Sequence, residues 1–246
     1  RESTVSYETI LLDKSDFTAT ITFNRPQVFN AYSEQMSQEI KAAIAEVAKD
    51  EAVRVLFLKG AGDNFLAGAD INMLNKWSEV AKTQGSPEVK RILDNHFSPT
   101  SLEELPIPVI ALVDGMAWGM GSEIAIGADI RICTSRASFA QPEINLGLIT
   151  GGGASQRLPR IVGQAKAMEM ILTGKPISAP DADKWGLVSQ VVEPEELEDA
   201  GMKMAKSIAA KSPLMVKWAK ECVHLVRDHD LLSGIQKELA RFSEAF

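Results

Sequence analysis

The chain has 246 residues, with 26 basic and 33 acidic side chains, giving a net charge of −7. That balance argues against nucleic acid or an anionic membrane as the main partner. A chain of this size can bury a core without help from disulfides or metal. Cys133 and Cys222 lie far apart, with no CxxC or Cys/His cluster, and read as buried thiols in a reducing compartment. No apolar run reaches the roughly 18 residues of a membrane span. Arg1-Glu2-Ser3-Thr4 lacks the basic-then-apolar pattern of a secretory signal. The missing initiator Met suggests a processed or trimmed chain, and the expected setting is the cytoplasm or an organelle matrix.

In chain order, Tyr7 to Leu12 and Thr18 to Phe23 are β-rich runs separated by the polar break Asp13-Lys14-Ser15-Asp16, which predicts a hairpin. Ser33 opens a helix to about Lys49, with Met36, Ile40, Ala43, Ile44 and Val47 at helical spacing. Val53–Leu58, Pro108–Val113 and Ile130–Cys133 are short apolar runs of the kind found in strands covered on both faces. Alternation of such strands with helical patterns predicts βαβ units and a mainly parallel sheet. The polar stretch from Lys76 to Thr100, broken by Gly85-Ser86-Pro87, is expected to be the most mobile part of this core. Beyond Gly163 helices dominate, over 165–173, 179–185, 194–211, 212–227 and 231–242, with Ser178 and Ser212 as N-caps. One short β-like run, Leu187–Val192, interrupts them. The expected division is an α/β core over 1–192 and a helical C-terminal region over 193–246.

Glycines cluster at Ala67-Gly68-Ala69-Asp70, Gly115–Gly121 and Gly151–Gly153. They do not form a nucleotide fingerprint. The sixth position of a GxGxxG starting at Gly119 is Ile124, that of one starting at Gly151 is Gln156, and neither a P-loop nor a GxSxG elbow occurs. The first two clusters each follow an apolar strand and precede a helix, so they read either as tight turns or as loops presenting backbone N–H groups to a ligand. Glu123 stands among small and apolar residues at a predicted helix start, and Glu143 has mostly apolar neighbours. Taken singly, each is as readily a helix-dipole or capping acid as a catalyst; taken together with the glycine loops, they point to a site. His96, His224 and His229 lack metal-ligand spacing, so no metal is expected.

With these pieces in place, the chain resembles the crotonase (enoyl-CoA hydratase/isomerase) superfamily, and within it the hydratases. The matching segments are Asn24-Arg25-Pro26…Asn30-Ala31, Phe65…Ala67-Gly68-Ala69-Asp70-Ile71, Pro108-Val109-Ile110-Ala111…Gly115, Gly121-Ser122-Glu123, Gln141-Pro142-Glu143…Gly147, Gln156-Arg157-Leu158-Pro159-Arg160…Gly163 and Leu172-Thr173-Gly174 onward. The resemblance implies ββα repeats forming a spiral core, with a helical C-terminal section that makes a homotrimer or homohexamer. It implies Glu123 as general base and Glu143 as general acid, 20 residues apart, and the N–H groups of Ala69 and Met120 as an oxyanion hole. Val28, Ala67, Asp70, Ile71, Gly115, Trp118 and Thr150 are the implied coenzyme A and substrate contacts.

The implied reaction adds water across the α,β double bond of an enoyl-CoA. No cofactor is permanently bound, and coenzyme A enters as part of the substrate. Two departures from the family pattern stand out. Met120, Trp118 and Thr150 stand where the family commonly has glycine, a smaller residue and proline, which suggests a cyclic or dienoyl acyl group. The family also usually continues past Ala245-Phe246, so coenzyme A contacts from a tail cannot be assigned. The alternatives are a hydrolase or C–C bond enzyme on a cyclic acyl-CoA, an isomerase, or a non-catalytic RNA-binding or scaffold member. Both glutamates and the net charge speak against the last.

Overall fold

The computed structural model describes residues 7–246. Strands β1 (Ile10–Ser15) and β2 (Thr18–Phe23) form an antiparallel hairpin, with Asp16 in the left-handed region at φ 51°. The turn falls later than the sequence suggested. Asp13, Lys14 and Ser15 belong to the strand, because β1 is a sheet edge whose outward positions tolerate polar side chains. Helix α1 (Glu34–Val47), capped by Ser33, is followed by β3 (Val55–Gly60), α2 (Ile71–Gln84), α3 (Ser86–Asp94), α4 (Thr100–Glu103) and β4 (Val109–Val113).

The stretch from Lys76 to Thr100 is therefore mostly helix. Gly85, at φ 85°, separates α2 from α3, and Trp77 meets His96 edge-on with ring centroids 5.1 Å apart. These helices read as polar because Met73 is the one buried side chain on them.

Next come β5 (Met116–Trp118), α5 (Met120–Gly127), β6 (Ile130–Thr134), β7 (Ser138–Ala140) and a 3₁₀ turn over Pro142–Leu146. Helices α6 (Ala154–Val162) and α7 (Gln164–Thr173) lead to β8 (Ile177–Ser178), α8 (Ala179–Lys184) and β9 (Gln190–Val192). Three helices complete the chain: α9 (Leu197–Ala209), α10 (Pro213–His224) and α11 (Leu231–Glu244).

The main sheet has the order β1-β2-β3-β4-β6-β9 and is parallel from β2 onward. A second sheet, β5-β7-β8, lies beyond the carboxyl end of β4. One face of the main sheet packs Leu56, Leu58, Ala111, Val113 and Cys133 with Met36, Ile40 and Ile44 of α1 and Ile124 of α5. The other face packs Val55, Phe57, Ile110, Leu112 and Ile132 against Leu197 and Ala205 of α9. Covering on both faces explains the unbroken apolar runs of the central strands.

Two expectations need correction. Helix α9 is part of this core: Gly201 brings it so near β4 that a Cβ there would lie 2.8 Å from a Leu112 methyl. The division expected at 192/193 therefore moves to the end of α9, leaving α10 and α11 as the separate helical section. The thiols also differ, Cys133 being buried and Cys222, on α10, half-exposed.

The moved boundary has a measurable consequence. Leu197 is 7% exposed and Leu239 of α11 is 56% exposed. Leu197→Ala should cost about 2–5 kcal/mol of stability, and Leu239→Ala within about 0.5 kcal/mol, in urea melts of dilute protein. Equal costs would return α9 to the peripheral section.

Candidate active site

Between β3 and α2 the backbone runs past β5 as an added strand. Leu66 N–H donates to Met116 C=O at 2.9 Å, and Trp118 N–H donates to Leu66 C=O at 3.0 Å. Glycine is required twice to allow this approach. A Cβ on Gly121 would lie 2.0 Å from Leu66 C=O, and one on Gly115 2.0 Å from Asp63 C=O. On its other side the segment pairs with the stretch before α1. Ala67 N–H donates to Phe29 C=O, Tyr32 N–H to Gly68 C=O, and Asp70 N–H to Tyr32 C=O.

Ala69 is the residue bridged to Tyr32 in parallel fashion. In that pattern the flanking groups face the partner and the central residue's own N–H faces away from it. Gly68, at φ 109°, provides the turn that makes this possible.

Across from it, Gly119 N–H donates to Ala140 C=O at 2.9 Å, and helix α5 begins at Met120. A Cβ on Gly119 would lie 3.6 Å from Gly68 Cα, so the two turns touch. Met120 N–H is in the first turn of α5, where an amide has no partner within its helix. Among the described residues, neither Ala69 N–H nor Met120 N–H donates to a protein acceptor. Two unpaired amides therefore follow two glycines in contact, one of them at the positive end of a helix dipole.

Glu123 lies one turn into α5 and is 3% exposed. Its Oε1 accepts from Gly152 N–H at 2.7 Å and from Ala154 N–H at 3.1 Å. Gly152 is glycine because Glu123 Oε2 would lie 2.5 Å from any Cβ there. Burial pushes the Glu123 carboxyl above its usual range, while the Ala154 and Gly152 N–H groups and the Arg157 charge pull it back. The far end of α5 is held by Arg131, which donates to Ala128 C=O at 2.7 Å, to Ala125 C=O at 3.3 Å and to Leu187 C=O.

Glu143 stands in the 3₁₀ turn after β7, with Oε1 3.2 Å from where a Gly119 Cβ would be. Its Oε2 is buried and has no hydrogen-bond partner among the described residues. Burial raises its pKa to about 7, and the charge of Glu123 pushes in the same direction. Two identical side chains thus meet unlike surroundings, one gripped by two N–H donors through a single oxygen and the other with a buried oxygen that has no partner among the described residues.

Of the other expected contact residues, Val28, Ala67 and Ile71 gather where the Phe29–Ala67 hydrogen bond joins two loops, and Ile71 is 68% exposed. Thr150 is half-buried two residues before Gly152. Trp118 has its indole N–H fixed on Ser138 Oγ at 3.0 Å. Two residues have other partners. Asp70 caps α2 through Asn72 N–H and pairs with Arg25 at 2.9 Å, so its carboxylate organises the loop. Gly115 lies at the opposite end of β5 from Gly119 and serves the close approach to Asp63.

Sequence reading missed Arg131, Arg157 and the amides of Gly152 and Ala154. Three consecutive glycines ahead of Gln156-Arg157 were the available signal. A cavity of about 970 Å³ reaches Gly153 and Arg157 from the α10 side and is lined by neither Glu123 nor Glu143. Among the described residues no cluster of three or more His, Cys, Asp or Glu is arranged to hold a metal, and no helix is long and apolar enough to cross a membrane.

The family described as Enoyl-CoA hydratase/isomerase matches residues 13–246. The chain belongs to that family. It is 37% identical over 238 residues to the short-chain-enoyl-CoA hydratase of Clostridium acetobutylicum, covering 96% of this chain and 89% of that protein. It is 36% identical over 243 residues to the crotonyl-CoA hydratase of Syntrophomonas wolfei, covering 98% and 91%. Among solved structures, the enoyl-CoA hydratase of Bacillus anthracis aligns with a TM-score of 0.86 and 32% identity, over 96% of this chain and 90% of that one. The fold is thus the crotonase fold.

The state of Glu143 is open to a stability measurement. A carboxyl whose pKa is raised by folding keeps its proton longer in the native state than in the unfolded chain. Its contribution is full below the ordinary value of 4.5 and is lost as pH rises through about 7. Glu143→Gln should remove that loss, so the melting temperature of the variant should gain on the wild type between pH 5 and 8. Parallel curves would mean the carboxyl is solvated.

Proposed function

We propose that this protein is an enoyl-CoA hydratase: a hydro-lyase that adds water across the α,β double bond of an acyl-CoA thioester, with no permanently bound cofactor. Family membership and hydratases at 36–37% identity support the coarse reading. The observation that carries the mechanism is the meeting of two unpaired amides with two carboxyl groups of unlike surroundings.

In this reading the thioester oxygen accepts from Ala69 and Met120 N–H. As the enolate develops, these donors take up negative charge, and each such donor is typically worth about 2.7–4 kcal/mol of barrier. Glu123, whose charged form is held by Gly152 and Ala154 N–H, takes a proton from water as it attacks the β-carbon. Glu143, protonated up to about pH 7 and without a donor on Oε2, delivers a proton to the α-carbon. Glu123 ends protonated and Glu143 ionised, and solvent exchange resets the pair. An isomerase needs only one such carboxyl, so the presence of both favours hydration. Val28, Ala67 and Ile71 are the proposed coenzyme A contacts.

The narrower part of the reading is a cyclic or dienoyl acyl group. Its support is bulk: Met120 follows the helix-opening glycine, and Trp118 is held in place beside it by Ser138. The exposed apolar residues of α11, among them Leu231, Leu232, Ile235 and Phe242, support a homotrimer or homohexamer, in a cytoplasmic or organelle-matrix setting. Sedimentation is the check on assembly.

Glu123→Gln and Glu143→Gln should each lower turnover by at least about a hundredfold with the native circular dichroism spectrum retained, the reaction being followed as loss of the conjugated-thioester absorbance. Wild-type-like rates in either would refute the assignment. Side by side, a ring-bearing dienoyl-CoA should give a higher kcat/KM than crotonyl-CoA, and Trp118→Leu should narrow the gap. A preference for crotonyl-CoA would leave the hydratase reading intact and remove the cyclic substrate.

A further inference from the structure

We infer that Arg157 is a positioning residue for Glu123: anchored on Glu103, its guanidinium braces the 152–154 turn that grips the Glu123 carboxylate, and Arg227 ties that anchor to the C-terminal helices. The inference rests on the reading of Glu123 as the general base.

Arg157 Nε donates to Glu103 Oε1 at 2.7 Å and Nη2 to Oε2 at 3.0 Å, a fork on a carboxylate that is 8% exposed. Nη2 also donates to Thr100 Oγ1 at 2.9 Å, and Nη1 donates to Gly152 C=O at 3.0 Å. That carbonyl belongs to the residue whose N–H holds Glu123. The next glycine shows how tightly the guanidinium lies on the turn, since a Cβ on Gly153 would be 2.1 Å from Arg157 Nη1. Gly152 thus accommodates the carboxylate and Gly153 the guanidinium, on adjacent residues. Glu103 is shared, because Arg227, in the turn after α10, approaches its Oε2 at 2.8 Å.

The charged groups around Glu123 are few. Helix α4 brings Glu103, α6 brings Arg157 and Arg160, and the 3₁₀ turn after β7 brings Glu143. Arg131 and Asp129 stand at the far end of α5, Asp129 being paired with Lys220 and His224, and β5 carries no titratable side chain. Arg157 is the cation that lowers the Glu123 pKa. Removing it leaves the buried Glu103 carboxylate to Arg227 alone, frees the Gly152 carbonyl and takes positive charge from beside the base.

The test is a pH profile of kcat and KM for Arg157→Gln, Arg157→Lys and Arg227→Gln. In Arg157→Gln, kcat should fall by as much as about 100-fold while KM changes little, and the acidic limb should move to higher pH. Lysine keeps the charge without the fork, so Arg157→Lys should return the limb toward wild type. Arg227→Gln, at a half-exposed position, should move it the same way by less. An independent readout is the Glu123 carboxyl resonance of ¹³C-glutamate-labelled protein, with Glu123→Gln as the blank, and Arg157→Gln should titrate upward.

An acidic limb and a resonance that stay in place would overturn the proposal, as would a kcat loss that lysine leaves equally deep or a KM that rises alone. If Arg157→Gln does not fold, Arg227→Gln decides by the same two readouts. A wild type that hydrates neither thioester would count against the proposed function, while the resonance would still decide the part played by Arg157.

Discussion

The site depends on one close approach: the backbone after β3 lying against β5 and the first turn of α5. Peptide groups pack this closely only where side chains are absent, so Gly115 and Gly121 are determined by the Asp63 and Leu66 carbonyls they meet. The consequence is electrostatic. A strand edge and a helix start each leave amides that secondary structure does not satisfy, and here one of each kind follows one of two glycines in contact. Ordinarily such groups would be a liability. Beside the buried Glu123 and the half-buried Glu143, they serve in the proposed reaction as donors already in place for a developing oxyanion, with no reorganisation needed at the moment of reaction.

The carboxyls show how environment sets identical side chains apart. Burial raises both. What differs is the compensation: Glu123 receives two peptide N–H groups and the field of Arg157, whereas Glu143 Oε2 has no donor. Hydrogen bonds to the charged form and an unsatisfied oxygen act on ionisation in opposite directions. In the proposed mechanism the base is thus made by the glycine turn at 152–154 as much as by the glutamate.

Much of this was legible in the sequence, and the exceptions share a physical cause. Glutamates among apolar neighbours, and glycines between strand and helix, announce themselves because their ordinary environments are absent. Strands β3, β4 and β6 are readable because covering on both faces demands unbroken apolar runs. Strand β5 was not, since Met116-Ala117-Trp118 is three residues between glycines and becomes a strand only through neighbours contributed by 64–70 and β7. Helix α6 contains Pro159, which removes a backbone donor and masks the helical pattern. The misplaced boundary before α9 arose because helical periodicity shows that a helix has an apolar face and not what that face covers. Arg157 and Arg131 escaped for a related reason. An arginine in a sequence looks solvated, and only tertiary structure shows its guanidinium spent on carbonyls and a buried carboxylate.

The same arginines bear on how the chemistry is coupled to the rest of the protein. Helix α5 is fixed at both ends by groups from outside it. Arg131 satisfies its last carbonyls, and the turn at 152–154 engages Glu123 in its first turn. Behind that turn stands Glu103, shared between α6 and the segment that follows α10. Helices α10 and α11 lie outside the two-faced core and bury no residue in it, and polar contacts of Lys220, His224 and Arg227 tie this section to the rest. A buried carboxylate held from two sides responds when either cation moves, because the remaining one must carry the whole charge. The proposed base is therefore linked by a series of direct contacts to the part of the chain whose apolar face is most exposed. From that face a short physical route runs through Arg227, Glu103 and Arg157 to the carbonyl behind Glu123.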